Sequence, residues 1–390
     1  MLKKSWTAMG AAMGVAVLLT ACSTTVPGSP QADPSAMPRP DTGSFATAPR
    51  TVSPMTDVQA AAAEGYRMVE IIPMPPDIDP AIRYDGKFSV GKLTSIKGTF
   101  GAGAATALQD HEVGAYVSAT AKKPDDSGTK PGTSLIMGVM RMKDDAAAIA
   151  AVANPVFLGD EEKIVDTEPD KEPVSIPGYS GAKAYSKNWT SQNTVSTTAV
   201  VASGRYVLLT YTTAGVDAVK KFFDAQIKAL DGFQPTPVDK FSTLSKDRDG
   251  LLRYTLQSSS TRDVVLQARA AVVNQTDITG SVKNFADAGV DLVARASNLV
   301  YRAKDAAGAR LLADRFLAEV KGFNAGSVES TVKGVPGGTC LTYPTYKGSK
   351  NTQTYCVAPV GRYLAELGDT QQNRAQQALG ASYLILKDAK

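Results

Sequence analysis

Gly204-Arg205-Tyr206 and Gly361-Arg362-Tyr363 each follow a β-rich run, ending at Ala202 and Ala358, and each lead another. Glycine suits the tight turn between such runs because it adopts a positive φ without steric cost. The same hairpin is therefore predicted twice, and the sequence around it repeats as well. Ile176-Pro177-Gly178 and a strand ending in Ala184-Tyr185 correspond to Val335-Pro336-Gly337 and a strand through Thr342-Tyr343. Further upstream, the runs Glu112 to Ala119 and Leu135 to Met142 correspond to Ala288 to Arg295 and Asn298 to Ala303. Both pairs feed an alanine-rich helix entered through Lys143-Asp144 or Lys304-Asp305.

Each copy closes with a helix whose apolar residues recur at helical spacing: Val219, Phe222, Phe223, Ile227 and Leu230 in the first, Ala375, Ala378, Leu379, Tyr383 and Leu386 in the second. Such a stripe is expected to cover the sheet. Runs of strands overlaid by helices give an α+β fold of two tandem related modules, each a mainly antiparallel sheet covered by helices. Pro235 and Pro237 interrupt helix and ladder alike, so the modules are expected over residues 55–236 and 237–390.

Ahead of the modules, Lys3 and Lys4 precede an apolar run from Ala8 to Leu19 and then Leu19-Thr20-Ala21-Cys22. The run is short for a membrane span and ends in small residues, which predicts a removed signal peptide over residues 1–21. Cys22 then stands where bacterial lipoproteins carry their lipidated cysteine, so a soluble body held on the outer face of the cell membrane is expected. Residues 22–54 hold Pro27, Pro30, Pro34, Pro38, Pro40, Pro49 and Pro54 among small and polar residues, a composition that predicts a disordered tether.

With 42 Lys and Arg, 38 Asp and Glu, and two lysines in the signal, the mature balance is 40 minus 38, or +2. A near-neutral body gives no electrostatic case for a nucleic-acid partner. Beyond Cys22 only Cys340 and Cys356 remain, an even pair in a compartment that permits disulfides. If they face one another across an antiparallel hairpin, the turn centres on Gly348 and Pro344 falls opposite Thr352. In non-hydrogen-bonded pairs the missing proline N–H would break no bond of that ladder.

Catalytic and metal chemistry is poorly supplied. The lone histidine, His111 in Asp110-His111-Glu112, reads as a surface turn residue ahead of a strand. Ser180-Gly181-Ala182-Lys183 fits Ser-x-x-Lys, but that chemistry needs the lysine one helical turn after the serine, and the residues here read as turn and strand. Gly98, Gly101 and Gly103 lack the spacing of a phosphate loop and are expected to turn the chain into a helix. The acidic pairs Asp125-Asp126, Asp144-Asp145 and Glu161-Glu162 read as solvated faces or helix starts. No catalytic residue, metal site or cofactor is predicted.

Asp41-Thr42-Gly43-Ser44-Phe45 with Pro49-Arg50, then Arg67-Met68, Asp79-Pro80-Ala81, Ala288-Gly289-Val290-Asp291 and Val300-Tyr301-Arg302-Ala303, resemble a family of uncharacterised actinobacterial, mycobacterial-type cell-envelope lipoproteins. Where such relatives often show Tyr-Pro-Thr after the Asp-Thr-Gly, this chain has Phe45-Ala46-Thr47. The resemblance implies location and architecture and brings no activity. The expectation is a non-catalytic, lipid-anchored envelope protein that binds an envelope lipid or protein through its modules. A lipid or glycolipid carrier is the alternative and would need an apolar cavity between helix and sheet. An envelope hydrolase ranks lower and would need His111 or Lys183 to share a cleft with a serine and a carboxylate. An interaction module would show shallow pockets and an exposed aromatic patch drawn from residues such as Trp189 or Tyr66.

Overall fold

The computed structural model describes residues 38–92, 96–126, 128, 132–157, 168–258, 262–346 and 348–389. In the first half, α1 (Asp57–Val69) and α2 (Pro75–Ile78) precede β1 (Tyr84–Gly91), α3 (Ile96–Phe100), α4 (Ala102–Ala107), β2 (Val113–Thr120) and β3 (Ser134–Arg141). Then come α5 (Asp145–Ala153), β4 (Glu172–Pro173), β5 (Lys183–Trp189), β6 (Thr194–Ser203), β7 (Tyr206–Thr212) and α6 (Val216–Leu230). The second half starts with β8 (Val264–Gln267), α7 (Ala268–Val272), α8 (Ile278–Ala288), β9 (Leu292–Arg295), β10 (Leu299–Arg302) and α9 (Ala306–Phe323). It ends with β11 (Val328–Thr331), β12 (Thr339–Pro344), β13 (Thr352–Val360), β14 (Tyr363–Asp369) and α10 (Gln372–Leu386).

Two seven-stranded sheets result, ordered β1-β2-β3-β7-β6-β5-β4 and β8-β9-β10-β14-β13-β12-β11. The second order is the first with each strand replaced by its counterpart, so the repeat read from sequence is a repeat of topology. Every pairing between named strands is antiparallel, as the α+β reading expects.

The repeated residues do the same physical work in both copies. Gly204 and Gly361 take φ of 54° and 55° in two-residue turns between Ser203 and Tyr206 and between Val360 and Tyr363. The next residues, Arg205 and Arg362, reach back with Nε to Met142 O at 3.1 Å and Ala303 O at 2.9 Å, tying each hairpin to the strand beside it. Asp144 and Asp305 cap α5 and α9 by accepting from Ala147 N and Gly308 N, which meets an otherwise unpaired helix-start N–H. An acid ahead of β2 and β9 pairs with the arginine ending β3 and β10: Glu112 with Arg141 at 2.9 Å, and Asp291 with Arg302 at 2.7 Å. Val219, Phe222 and Phe223 of α6, and Ala375, Leu379 and Leu386 of α10, are buried against their sheets as the helical spacing predicts.

Cys340 pairs with Cys356 and Pro344 with Thr352 in the expected register, and the two cysteines form a disulfide. Their Cα atoms lie 4.1 Å apart, the spacing of a non-hydrogen-bonded pair. Gly348 has φ of 85°, and Ser349 N closes the turn on Tyr346 O at 2.9 Å.

The halves are fastened to one another. One apolar cluster runs from Leu135, Val139, Phe222 and Phe223 of the first to Phe285, Tyr301 and Phe316 of the second. At its start β1 shifts register, Asp85 takes a φ of 55°, and the outer edge bonds across: Asp85 N to Thr276 O, Gly86 N to Gln275 O, and Ile278 N to Arg83 O. A Cβ on Gly86 would fall 2.0 Å from Val273 O, so only glycine permits this approach.

Residues 38–54, the later part of the expected tether, lie against the second half. Asp41 accepts from Gly43 N and from Gln377 Nε2 of α10, both at 2.9 Å. Arg374 stacks over Phe45, and Arg50 pairs with Asp263 at 2.8 Å while donating to Leu252 O. The proline-rich composition reads as a disordered tether, but over residues 38–54 Phe45, Val52 and Arg50 supply contacts that hold the segment in place. Among the described residues no helix is long and apolar enough to cross a membrane.

Candidate functional site

Next to the β1 junction, edges of both sheets enclose a cleft of about 580 Å³. Phe88, Tyr116, Leu266 and Val293 give it apolar walls, and Asn274, Gln275 and Arg295 bring polar groups. Phe88 and Arg295 are placed by β1 and β9, so the cleft exists only because the two modules meet. The Arg295 guanidinium lies 5.8 Å from the centre of the Phe88 ring, which in turn meets Tyr66 edge-on at 5.8 Å. Among the described residues no carboxylate pairs with Arg295, whereas Lys87 on the same wall is paired with Asp85 at 2.8 Å. A partly buried guanidinium held over an aromatic face, with its fork unpaired, suits a carboxylate, phosphate or carbonyl group. Burial pushes the Tyr66 hydroxyl up, with Arg295 and Arg262 acting in the opposite sense.

A hydrogen-bonded chain leads from the cleft into the second module. Gln275 Nε2 donates to the Tyr301 hydroxyl at 3.3 Å, and Tyr301 donates to Glu366. Burial pushes the Glu366 carboxyl up to about 7, against the hydrogen bonds from Tyr301 and Tyr355. Glu319 is also pushed up to about 7, by burial first and then by the charges of Asp277 and Glu366. Carboxyls at that value can hold or release a proton near neutrality.

The residues singled out from sequence do not converge here. His111 is 2 % exposed, which corrects the surface-turn reading. His111 N and Nδ1 both contact Leu108 O, and Lys92 donates to the His111 carbonyl. Burial holds its imidazole below the usual 6.5, with the Leu108 carbonyl opposing. Ser180 lies in an exposed turn and Lys183 begins β5, so the helical geometry of Ser-x-x-Lys is not formed. Of the glycines expected to turn the chain into a helix, Gly101, with φ of 95°, does so at the start of α4, whereas Gly98 lies within α3 and Gly103 within α4. Asp144 caps a helix and Asp125 and Asp126 are exposed. Cys22, Glu161 and Glu162 lie outside the described residues. Among the described residues no group of three His, Cys, Asp or Glu is placed to hold a metal ion.

Tyr66 is partly buried against Phe88, and Trp189 is partly buried in a groove on the first module. Neither forms the exposed aromatic patch expected of an interaction module. Phe88, Gln275 and Arg295 were missed from sequence because no local spacing links them. Arg295 ends one of the repeated strands, and only the packing of the copies gives it a partner surface.

Residues 52–246 match the model of the domain of unknown function DUF7373, N-terminal, and residues 242–389 match its C-terminal counterpart. No curated protein and no solved structure matches the chain.

Proposed function

Since the chain belongs to the DUF7373 family and carries both of its domains in tandem, we propose that it is a non-catalytic binding protein whose ligand seats in the cleft between them. The reading extends to its setting: an actinobacterial-type cell-envelope lipoprotein, held on the outer face of the membrane by acyl chains at Cys22 after removal of residues 1–21. The observation that carries the binding role is Arg295, held over Phe88 with no carboxylate partner among the described residues, in a cleft that both modules build. Clefts at domain junctions, with apolar walls and a few convergent polar groups, are the usual places for ligands.

Two further observations favour this over the alternatives. Phe222 and Phe223 are fully buried and Phe316 is 4 % exposed, so aromatic side chains occupy the helix-to-sheet space that a lipid carrier would need. His111 is buried and bound to Leu108, while Ser180 and Lys183 stand on exposed turn and strand, an arrangement that favours binding over hydrolysis.

The test has two arms. Native mass spectrometry with lipid extraction, on the full chain from membranes, should show a bound anionic ligand that Arg295→Ala loses while keeping its melting temperature. Equal recovery from both proteins would refute the role of the cleft. Cys22→Ser should move the protein from the membrane to the soluble fraction, and a variant that stays membrane-bound would refute the anchor.

A further inference from the structure

The two modules differ on one face, and the difference leaves an opening in the first. In the second module α9 has 18 residues and packs along β12, β13 and β14. Its counterpart α5 has 9 residues and packs on β6 and β7. Beyond the end of α5 lies a groove of about 670 Å³, distinct from the cleft between the modules, with α3, α4 and the Gly101 turn between them as its other wall. The registers of the two hairpins are the same, so positions can be compared directly. The cross-strand pair Thr198 and Tyr211 of the first module stands where the second has Tyr355 and Gly368. There Tyr355 reaches Glu366 under α9. In the first module Leu209 takes the place of Glu366, and Tyr211 lines the groove.

We infer that this groove, lined by Trp189, Tyr211 and Thr198 beside the Lys187–Glu168 ion pair, is a binding site for a saccharide ring. Trp189 and Tyr211 are partly exposed, and the Trp189 indole is fixed because its Nε1 donates to Ser196 Oγ at 3.0 Å. Two aromatic rings on one groove, one of them held in place, suit the C–H face of a pyranose, which is apolar although its rim is not. The rim needs donors and acceptors, and the groove offers the Thr198 hydroxyl and the paired charges of Lys187 and Glu168, which are 13 % and 15 % exposed. Because those charges already neutralise one another, the deep part of the groove suits an uncharged ring. Lys97 on the exposed lip is a place where an acidic substituent would gain.

The chain has two tryptophans, Trp6 and Trp189, so a full-length Trp6→Phe protein reports on this groove alone by indole fluorescence. Maltotriose, cellotriose and mannotriose are titrated into the millimolar range, with galacturonate as the acidic comparison. The expected result is a saturable change with at least one trisaccharide. Tyr211→Ala should weaken it about tenfold and Tyr211→Phe should keep it, the ring face and not the hydroxyl being what the sugar meets. If Tyr211→Ala fails to fold, Thr198→Val takes its place and should also weaken binding. Absence of a saturable change with every saccharide overturns the inference. So does a response that both Tyr211→Ala and Thr198→Val leave unaltered.

Discussion

Replacing Glu64 by alanine should cost more stability than any surface change. Glu64 of α1 is fully buried, and so is its partner Arg141. Its Oε1 accepts from Arg141 Nη1 at 3.3 Å and from Thr236 N at 2.9 Å, and its Oε2 accepts from Arg67 at 2.6 Å. Arg141 and Arg67 also hold Thr236 O, Thr236 Oγ1 and Gln234 O, and their guanidinium groups lie over Phe241 and Phe233. The network therefore clamps the segment joining the modules to the first of them. Three bonds to a charged group at about 1.5–3 kcal/mol each set an upper bound. Arg141 keeps Glu112 at 2.9 Å and Arg67 is partly exposed, so the loss should fall to the about 3–5 kcal/mol found when one partner of a buried pair is removed. Urea unfolding followed by circular dichroism measures it. One transition is expected, because the shared apolar cluster couples the halves. Limited proteolysis should also open near residues 231–240 in the variant. Adding Arg141→Met should restore part of the loss by removing a buried charge left with one carboxylate, Glu112, where it had two. A loss below about 1 kcal/mol, or a double variant no better than the single one, would refute the reasoning.

Reduction of Cys340–Cys356, or its Cys→Ala double replacement, should lower stability by about 3 kcal/mol by the chain-entropy estimate for a loop of this length. A change under about 1 kcal/mol in urea unfolding would contradict it. Glu366 is pushed up from 4.5 to about 7 in the fold, so the folded state binds its proton more tightly than the unfolded state. Its contribution therefore disfavours folding increasingly as pH rises from about 4.5 to about 7 and is constant above that. Glu366→Gln should gain stability relative to the parent over that window, with His111, whose value is lowered, cancelling in the comparison. An equal pH profile for both proteins in thermal melting would count against the assignment.

The frame was legible because its determinants are local. A glycine at a two-residue turn, an aspartate one step before a helix and a helical apolar stripe each act within a few residues, and all repeat. The cysteine register was legible for a related reason: two cysteines, a turn glycine and a proline allow one antiparallel pairing that satisfies them all. The strand-level alignment of the copies needed the structure, which sets Glu112 with Asp291 through their bonds to Arg141 and Arg302. His111 was misread because its ring nitrogen meets the Leu108 carbonyl and its own carbonyl accepts from Lys92, contacts that the Asp110-His111-Glu112 run does not foretell. The arm at 38–54 was misread for the opposite reason. Composition measures what a segment can bury by itself, and Arg50 and Phe45 bury theirs against residues more than 200 positions away.

Repetition also separates what the fold requires from what has been added to it. The hairpin arginines and the helix-capping aspartates serve the same carbonyls and amides in both copies, so they belong to the framework. Among the described residues three features occur on one side only: the Glu64 clamp on the joining segment, the Tyr301–Glu366 chain beneath α9, and the open groove beyond α5. A framework met twice needs no buried carboxyl at position 366, because Leu209 fills the same place in the first copy at no ionisation cost. Glu366 therefore trades stability near neutral pH for something other than the fold. Its chain of hydrogen bonds runs through Tyr301 to Gln275 on the wall of the cleft. Gln275→Leu should therefore alter ligand retention in the cleft while leaving the apolar cluster intact, and Glu366→Gln should remove the pH dependence of that retention.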